Sequence, residues 1–459
     1  MTLSRIDLFV VVGYFVVLTL FGAVVRRTRG FDDFAVAKRS VPVLMVFASL
    51  CAAYIGPGYS LGFTAKAFGA GFAFLPAWFC FSLQTCVVGI WLAPRLRSQV
   101  GAHTLGGVMM NAYGPTAKVL TGIVSVGLCV GLAGVLARAG GTILAGAIGV
   151  SLPIAIFLIT GVGVIYTLTG GLKSVVATEG LQFSVVLISM GAVIAFAGHR
   201  IASPQNLDQL AISLTSSTWK STSVFEFVGL MLLFFAGEML IPPYANRALA
   251  AESEGASGRG FVMAGIFSLF WFAMMATAGI QAREILGSTS NPDGVLIQLA
   301  HSVLPSGLLG LFLVALAAIV MSTQESLLNA ASVCLTRDLM SSRWPDRRQL
   351  AVARTSTVAF ALCATWFGLR APSILTGLLI AYSMWAPTIL PALVWWLVGN
   401  RKGEFNGVLS IVSGGLVSTS ILIFHVASGN PAVAIVAGLL ASISGGLVGS
   451  RVMRTAVQP

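Results

Sequence analysis

The chain has 459 residues, 57% hydrophobic and 9% charged, with mean hydropathy +0.92 and a formal net charge of +12. Soluble domains average about 25% charged residues, so these side chains cannot clothe an ordinary cytosolic enzyme, a secreted disulfide scaffold or a disordered chain. What remains is an all-α polytopic membrane protein, solvated mostly by lipid.

About 20 apolar residues make a span, and about thirteen stretches reach that length. They run over 6–26, 43–68, 71–94, 117–140, 147–169, 175–198, 223–247, 260–282, 306–335, 349–369, 374–398, 406–426 and 431–450. The first is a retained span: one basic residue precedes the run from Leu8 to Val25, and no small-residue cleavage site follows it. With Arg26, Arg27, Arg29, Lys38 and Arg39 placed inside, twenty of the 27 Lys and Arg fall on that side and seven on the other. Arg247 and Arg259 count among the inside loop charges. This bias puts the N-terminus outside and the C-terminus in the cytoplasm, with the chain in the plasma (inner) membrane. It also accounts for the positive charge without nucleic acid. The outside loops at 199–222 and 283–305 have room for a short surface helix or a gate but not for a domain. No GxxxxGK(S/T) loop is present, which disfavours pumping by ATP.

Two spans carry helix-breaking sequence at mid-membrane. The second reads Tyr54-Ile55-Gly56-Pro57-Gly58-Tyr59 and the seventh Glu238-Met239-Leu240-Ile241-Pro242-Pro243-Tyr244. Pro removes an amide donor and Gly loosens the backbone. Carbonyls freed at that depth must be buried in protein or line a wet cavity, and they are good ligands for a hard cation. If the first span is peripheral, the breaks open each of two consecutive five-helix units. Interrupted segments at matching positions of two inverted repeats point to a transporter's central site; two kinked helices are the plainer reading.

Ionisable groups also sit at depth: Glu238 beside the second break, Glu325 in the ninth span and Lys66 in the outer half of the second. Such groups usually face a cavity or a partner, so they lie on a solute or ion path or form a Lys66–carboxylate pair that only ties helices. Ser322 and Thr323 either bond back to their own helix or meet the freed carbonyls near Ala52 and Ile55. The second arrangement makes a neutral, all-oxygen cage suited to a monovalent hard ion, not to Zn or Cu. The six Cys (Cys51, Cys80, Cys86, Cys129, Cys334, Cys363) lie in apolar stretches and lack metal or disulfide spacing. The four His (His103, His199, His301, His425) form no cluster. No nucleophile–base–orienter set stands out, so an enzyme is not expected and no cofactor is called for.

Three stretches then carry a family resemblance. Gly170 to Gln182 (GGLKSVVATEGLQ) looks like a signature after the fifth span. Pro243 to Ala251 (PYANRALAA) looks like the end of the seventh. Met321-Ser322-Thr323, followed by Leu335 to Asp338 (LTRD), looks like an ion-binding helix. In this order and at these depths the chain resembles the sodium/solute symporter family over nearly its whole length. The resemblance implies a leucine-transporter-like core of five plus five helices in inverted repeat, at roughly 43–198 and 223–398. One helix precedes that core (6–26) and two follow it (406–426 and 431–450), all in a single transporter domain over 1–459.

The resemblance implies secondary transport coupled to sodium. It makes Ala52, Ile55 and Ile319 carbonyl donors to the ion, with Ala318 adjacent in register, and Ser322 and Thr323 hydroxyl donors. Tyr54 stands where members often have a polar residue, sometimes Asp. Glu179 stands where the signature acid is usually Asp, and takes a role in ion release or is a solvated helix-end charge. The solute is expected beside the breaks, near Tyr54, Gly56, Tyr59, Glu238 and Tyr244, with an amino acid or organic anion favoured over a sugar; packing between helices is the plainer role of the three Tyr. Lys66, Glu179 and Glu325 are the gating or ion-release candidates. The rival readings are a proton-coupled symporter that uses Glu238 or Glu325, and a passive channel or membrane sensor. The expected partners are sodium, a small solute and the bilayer.

Overall fold

The computed structural model describes residues 4–24, 30–71, 75–99, 101–201, 224–287, 294–340, 343–370, 374–399, 405–424 and 430–457. Among them nearly all regular structure is helical, as a chain in hydrocarbon requires, because a helix bonds its own backbone. The one β contact is a parallel bridge between Val41 and Ala251.

The helices, in chain order, are α1 (Arg5–Val24), α2 (Phe31–Val36), α3 (Val43–Tyr54), α4 (Phe63–Ala70), α5 (Leu75–Val87) and α6 (Ala93–Arg97). There follow α7 (Leu105–Tyr113), α8 (Pro115–Ile148), α9 (Leu152–Ile201), α10 (Val224–Ala236), α11 (Pro242–Ala250) and α12 (Glu254–Leu286). The last six are α13 (Val295–Val303), α14 (Leu308–Cys334), α15 (Asp346–Arg370), α16 (Ile374–Gly399), α17 (Gly407–Ile423) and α18 (Pro431–Val457). Each expected span contains helix. Among the described residues, eight helices are singly long and apolar enough to cross a membrane, and a ninth crossing is the bent pair Val43–Tyr54 and Gly58–Gly69. The short helices α2 and α7 lie between spans and were not foreseen. In the loop 283–305, where a surface helix was expected to have room, α13 forms. Most of the loop 199–222 lies outside the described residues.

Both predicted breaks are present. The first bends its span by 67°, with Ile55 leaving helical geometry (φ −65°, ψ 19°). At the second, α10 stops at Ala236 and α11 restarts at Pro242, with Leu240 in the left-handed region (φ 50°). Pro at a helix start loses no bond, because the first amides have no partner within the helix. The expected fifth and sixth spans form one helical path, α9, turned at Gly171 (φ 55°, ψ −154°). A methyl on Gly171 would stand 2.6 Å from Cα of Phe34, so both backbone and space call for glycine here.

The centre of the bundle is α14, with 83% of its apolar window buried. It packs against α8, α9, α1 and α15. Its start is held by Asp7 of α1, whose Oδ1 accepts from the amides of Gly307 (2.7 Å) and Gly310 (2.8 Å), a carboxylate cap on a helix N-terminus. The outward faces are apolar, with Phe9, Ile90, Phe157, Ile188, Phe270 and Leu362 all more than two-fifths exposed. Such faces suit lipid, not water.

Candidate functional site

The two breaks meet around one cavity of about 40 Å³, room for only a few waters. The first break contributes Ala53, Tyr54, Gly56, Pro57, Gly58 and Tyr59; the second contributes Glu238, Ile241, Pro243 and Tyr244. The walls are completed by Trp78, Leu132, Leu136, Phe234, Thr323, Leu327, Leu378, Leu379 and Tyr382. All five solute candidates named from sequence therefore line this cavity. Their roles differ. Glu238 is buried and accepts from the Tyr59 hydroxyl and from the Tyr244 hydroxyl at 2.7 Å. Tyr54 gives its ring to the wall but sends its hydroxyl to the Ala264 carbonyl at 2.9 Å, so it also ties α3 to α12. Sequence reading missed Tyr382, Trp78 and Phe234, which in sequence are ordinary aromatics inside apolar spans.

Beside this cavity a narrow cleft is lined by Ala52, Ile55, Gln182, Phe183, Val186, Ala318, Ile319 and Ser322. The Ser322 hydroxyl reaches the carbonyls of Ala52 and Ile319, both at 3.1 Å. Thr323 reaches the carbonyls of Ala53 (3.0 Å) and Ile319 (3.2 Å) and faces the larger cavity. The Ile55 carbonyl accepts from Ser60 at 2.8 Å. Four of the five expected ion ligands thus share the cleft and the fifth, Thr323, stands on its rim. Both hydroxyls bond to Ile319, and none of their bonds goes to Ala318. Gln182 is the residue that sequence reading missed, although it ends the signature stretch. It is buried, and neither its oxygen nor its nitrogen has a hydrogen-bond partner among the described residues. Neutral oxygens with a spare buried amide fit a monovalent hard cation.

A third polar centre lies behind these two. Arg247 of α11 is 1% exposed and pairs with Glu179 of α9, which is fully buried. The guanidinium also donates to Ser49 (2.7 Å), Ser326 (2.7 Å) and the Pro243 carbonyl (2.7 Å). Ser49 and Ser326 donate in turn to the Glu179 carboxylate. This corrects two expectations: Arg247 is not a loop charge, and Glu179 is not a solvated helix end. The tally of loop charges could not see that the seventh span folds back into the protein after its break.

Lys66 is an exposed residue of α4; of the two carboxylates it was expected to meet, Glu238 bonds to Tyr59 and Tyr244. Glu325 is fully buried, packs toward Gly163 of α9 and has no hydrogen-bond partner among the described residues. No group of three or more His, Cys, Asp and Glu gathers as a metal site among the described residues.

A broken helix crossing a central helix, with a hydroxyl–carbonyl cleft beside an aromatic cavity, defines a membrane transporter of leucine-transporter-like fold. The family model described as "Sodium:solute symporter family" matches residues 34–411, and the chain belongs to that family. It is 25% identical over 422 residues to the high-affinity proline transporter PutP of Bacillus subtilis, covering 85% of this chain and 86% of the relative. The sodium/pantothenate symporter of Haemophilus influenzae is 24% identical, over 84% of this chain and 80% of its own. The pig (Sus scrofa) sodium/glucose cotransporter 1 is 25% identical over 72% of this chain, which spans 58% of that relative. Among solved structures, a Na+-coupled sialic acid symporter in a substrate-bound, outward-open state superposes with a TM-score of 0.83 over 98% of both chains, at 17% identity. That likeness is one of fold. Sodium-coupled solute transport, not enzymatic turnover, is what this family membership entails. Proline, pantothenate and glucose, the solutes in those names, are chemically unlike, so membership does not fix the solute.

Proposed function

We propose that the chain carries a small organic solute inward together with sodium, by alternating access between the halves at 43–198 and 223–398. Helices 6–26, 406–426 and 431–450 flank that core. The N-terminus lies outside and the C-terminus inside the plasma (inner) membrane. Sodium sits in the cleft on the carbonyls of Ala52, Ile55 and Ile319 and the hydroxyls of Ser322 and Thr323, and pins the broken α3 to α14. The solute occupies the neighbouring cavity against Tyr54, Gly56, Tyr59, Glu238 and Tyr244. Glu179 lies one layer further along the ion's way out. Both α14 hydroxyls already reach α3 carbonyls across 270 residues of sequence, and this observation carries the reading. An ion that tightens that contact shapes the cavity wall at Ala53 and Tyr54, and by linkage the solute then tightens the ion.

The test is thermal unfolding of the purified chain in sodium against equal potassium. A ligand of the folded state adds RT ln(1 + [L]/Kd), about 2.7 kcal/mol at about 100 Kd. Sodium is expected to raise the unfolding temperature and Ser322→Ala to abolish the rise. Equal curves in the two salts would refute sodium coupling. One observation favours a second reading, proton coupling: the Glu325 carboxyl is buried without a hydrogen-bond partner among the described residues. Uptake driven by a pH gradient in the absence of sodium, and lost in Glu325→Gln, would establish it.

A further inference from the structure

Resting on the transport reading, and naming the solute for the same cavity, we propose that the solute is a small organic cation, an alkylated ammonium ion, held by the Glu238 carboxylate in a cavity walled by aromatic side chains. Among the described residues, the cavity wall contains one charged residue, Glu238, and no Lys, Arg or His. Two phenol hydroxyls, from Tyr59 and Tyr244, bond to its carboxyl group, and Tyr382 lines the same cavity. Each phenol can donate to it, and an ionised carboxylate would accept both bonds.

Aromatic rings pack on one another in the wall of the same cavity. Trp78 and Phe234 have centroids 4.5 Å apart, and Tyr59 lies 5.4 Å from Trp78 and 6.0 Å from Phe234. An ammonium ion is drawn to such faces, most strongly when it is desolvated, and methylated ammonium ions are what aromatic cages recognise. The remaining lining, Leu132, Leu136, Ile241, Leu327, Leu378 and Leu379, suits alkyl groups.

A carboxylate-bearing solute, the expectation from sequence, finds little here. Pro57, Pro242 and Pro243 have no N–H to offer. Next to the breaks, the amides of Tyr59 and Ser60 bond to the Gly56 carbonyl, and those of Tyr244 and Ala245 to Ile241. The guanidinium of Arg247, one turn along α11 from Pro243, is engaged by Glu179, Ser49, Ser326 and the Pro243 carbonyl. The Trp78 Nε1–H is buried without a partner among the described residues. One neutral N–H serves a hydroxyl oxygen on the solute but is no counter-charge for an anion.

The experiment is thermal unfolding of the purified full chain in sodium, titrated with four probes. These are choline, its neutral isostere with carbon in place of nitrogen, proline and succinate. Choline is expected to bind about tenfold tighter than the isostere, or better. Glu238→Gln keeps an acceptor for the tyrosines and should erase that preference. Equal binding of choline and isostere to the unmutated chain overturns the inference, as does stabilisation by proline or succinate but not by choline. The sodium-against-potassium shift is read alongside without solute. A sodium shift with no choline preference refutes the organic cation and leaves sodium coupling standing. A choline preference with no sodium shift supports the organic cation and refutes sodium coupling.

Discussion

Arg247 shows how much a single residue can hide. Its side chain joins four helices through Ser49, Pro243, Glu179 and Ser326, all inside the bundle. Removing one member of a buried ion pair costs about 3–5 kcal/mol, mostly because the other charge is left unpaired, whereas removing both is often close to neutral. Arg247→Met should therefore lower the unfolding temperature strongly, and Glu179→Gln added to it should restore most of the loss. Unfolding of the single and double variants in the same detergent checks this, and equal losses in both would contradict it. The pair was half legible. Glu179 stood out because it is an acid, in a signature stretch, where the resemblance leads one to expect Asp. Arg247 did not, because the count of loop charges treats a span as a straight rod and places the residue after it in water. Gln182 and Tyr382 were hidden for a different reason: their roles rest on neighbours contributed by helices distant in sequence.

At the scale of the element, the breaks were the clearest signal in the chain. Gly-Pro-Gly and Pro-Pro inside an apolar run remove amide donors and crowd the preceding turn, and the structure bends or interrupts the helix at both. The turn at Gly171 was less clear. Two apolar runs separated by Gly170 to Ser174 predict two spans; the structure turns one helical path there, and Phe34 comes within 2.6 Å of the would-be Cβ of the glycine that takes the positive φ. Gly171→Ala places a side chain in strained backbone and against the Phe34 main chain at once. Positive φ with ψ near −154° is backbone that essentially only glycine adopts and costs other residues about 1–3 kcal/mol, and the clash adds to this. The variant should unfold at a clearly lower temperature. Gly191→Ala in the same helix, where nothing lies within 4 Å of the added methyl, should unfold like the parent. Matching losses at the two positions would mean that the turn is not what makes Gly171 special. The short helices α2 and α7 escaped prediction because they are too short for hydropathy to register and are set by tertiary contact: α2 packs on α9 and α7 on α8.

For the whole molecule, the arrangement of spans decides which side each loop faces, and the proposed direction of transport depends on it. Twenty of 27 Lys and Arg on one side is a bias that survives the loss of Arg247 to the core, since one residue moves out of the count and the excess stays. On the proposed orientation, the turn at 251–253 is inside and the turn at 305–306 outside. Glu252 and Ser306 are both exposed, so a cysteine at either position meets a reagent arriving from its own side. The native cysteines interfere little, because Cys363 is the one exposed among the six, and Cys363→Ser removes it. In that background, a membrane-impermeant maleimide added to intact cells should label Ser306→Cys and spare Glu252→Cys, and opened membranes should label both. Labelling of Glu252→Cys in intact cells would invert the molecule. The ion cleft, the aromatic cavity and the Glu179–Arg247 pair would keep their geometry, but the end proposed for ion release would face outward, and inward symport by this chain would have to be abandoned.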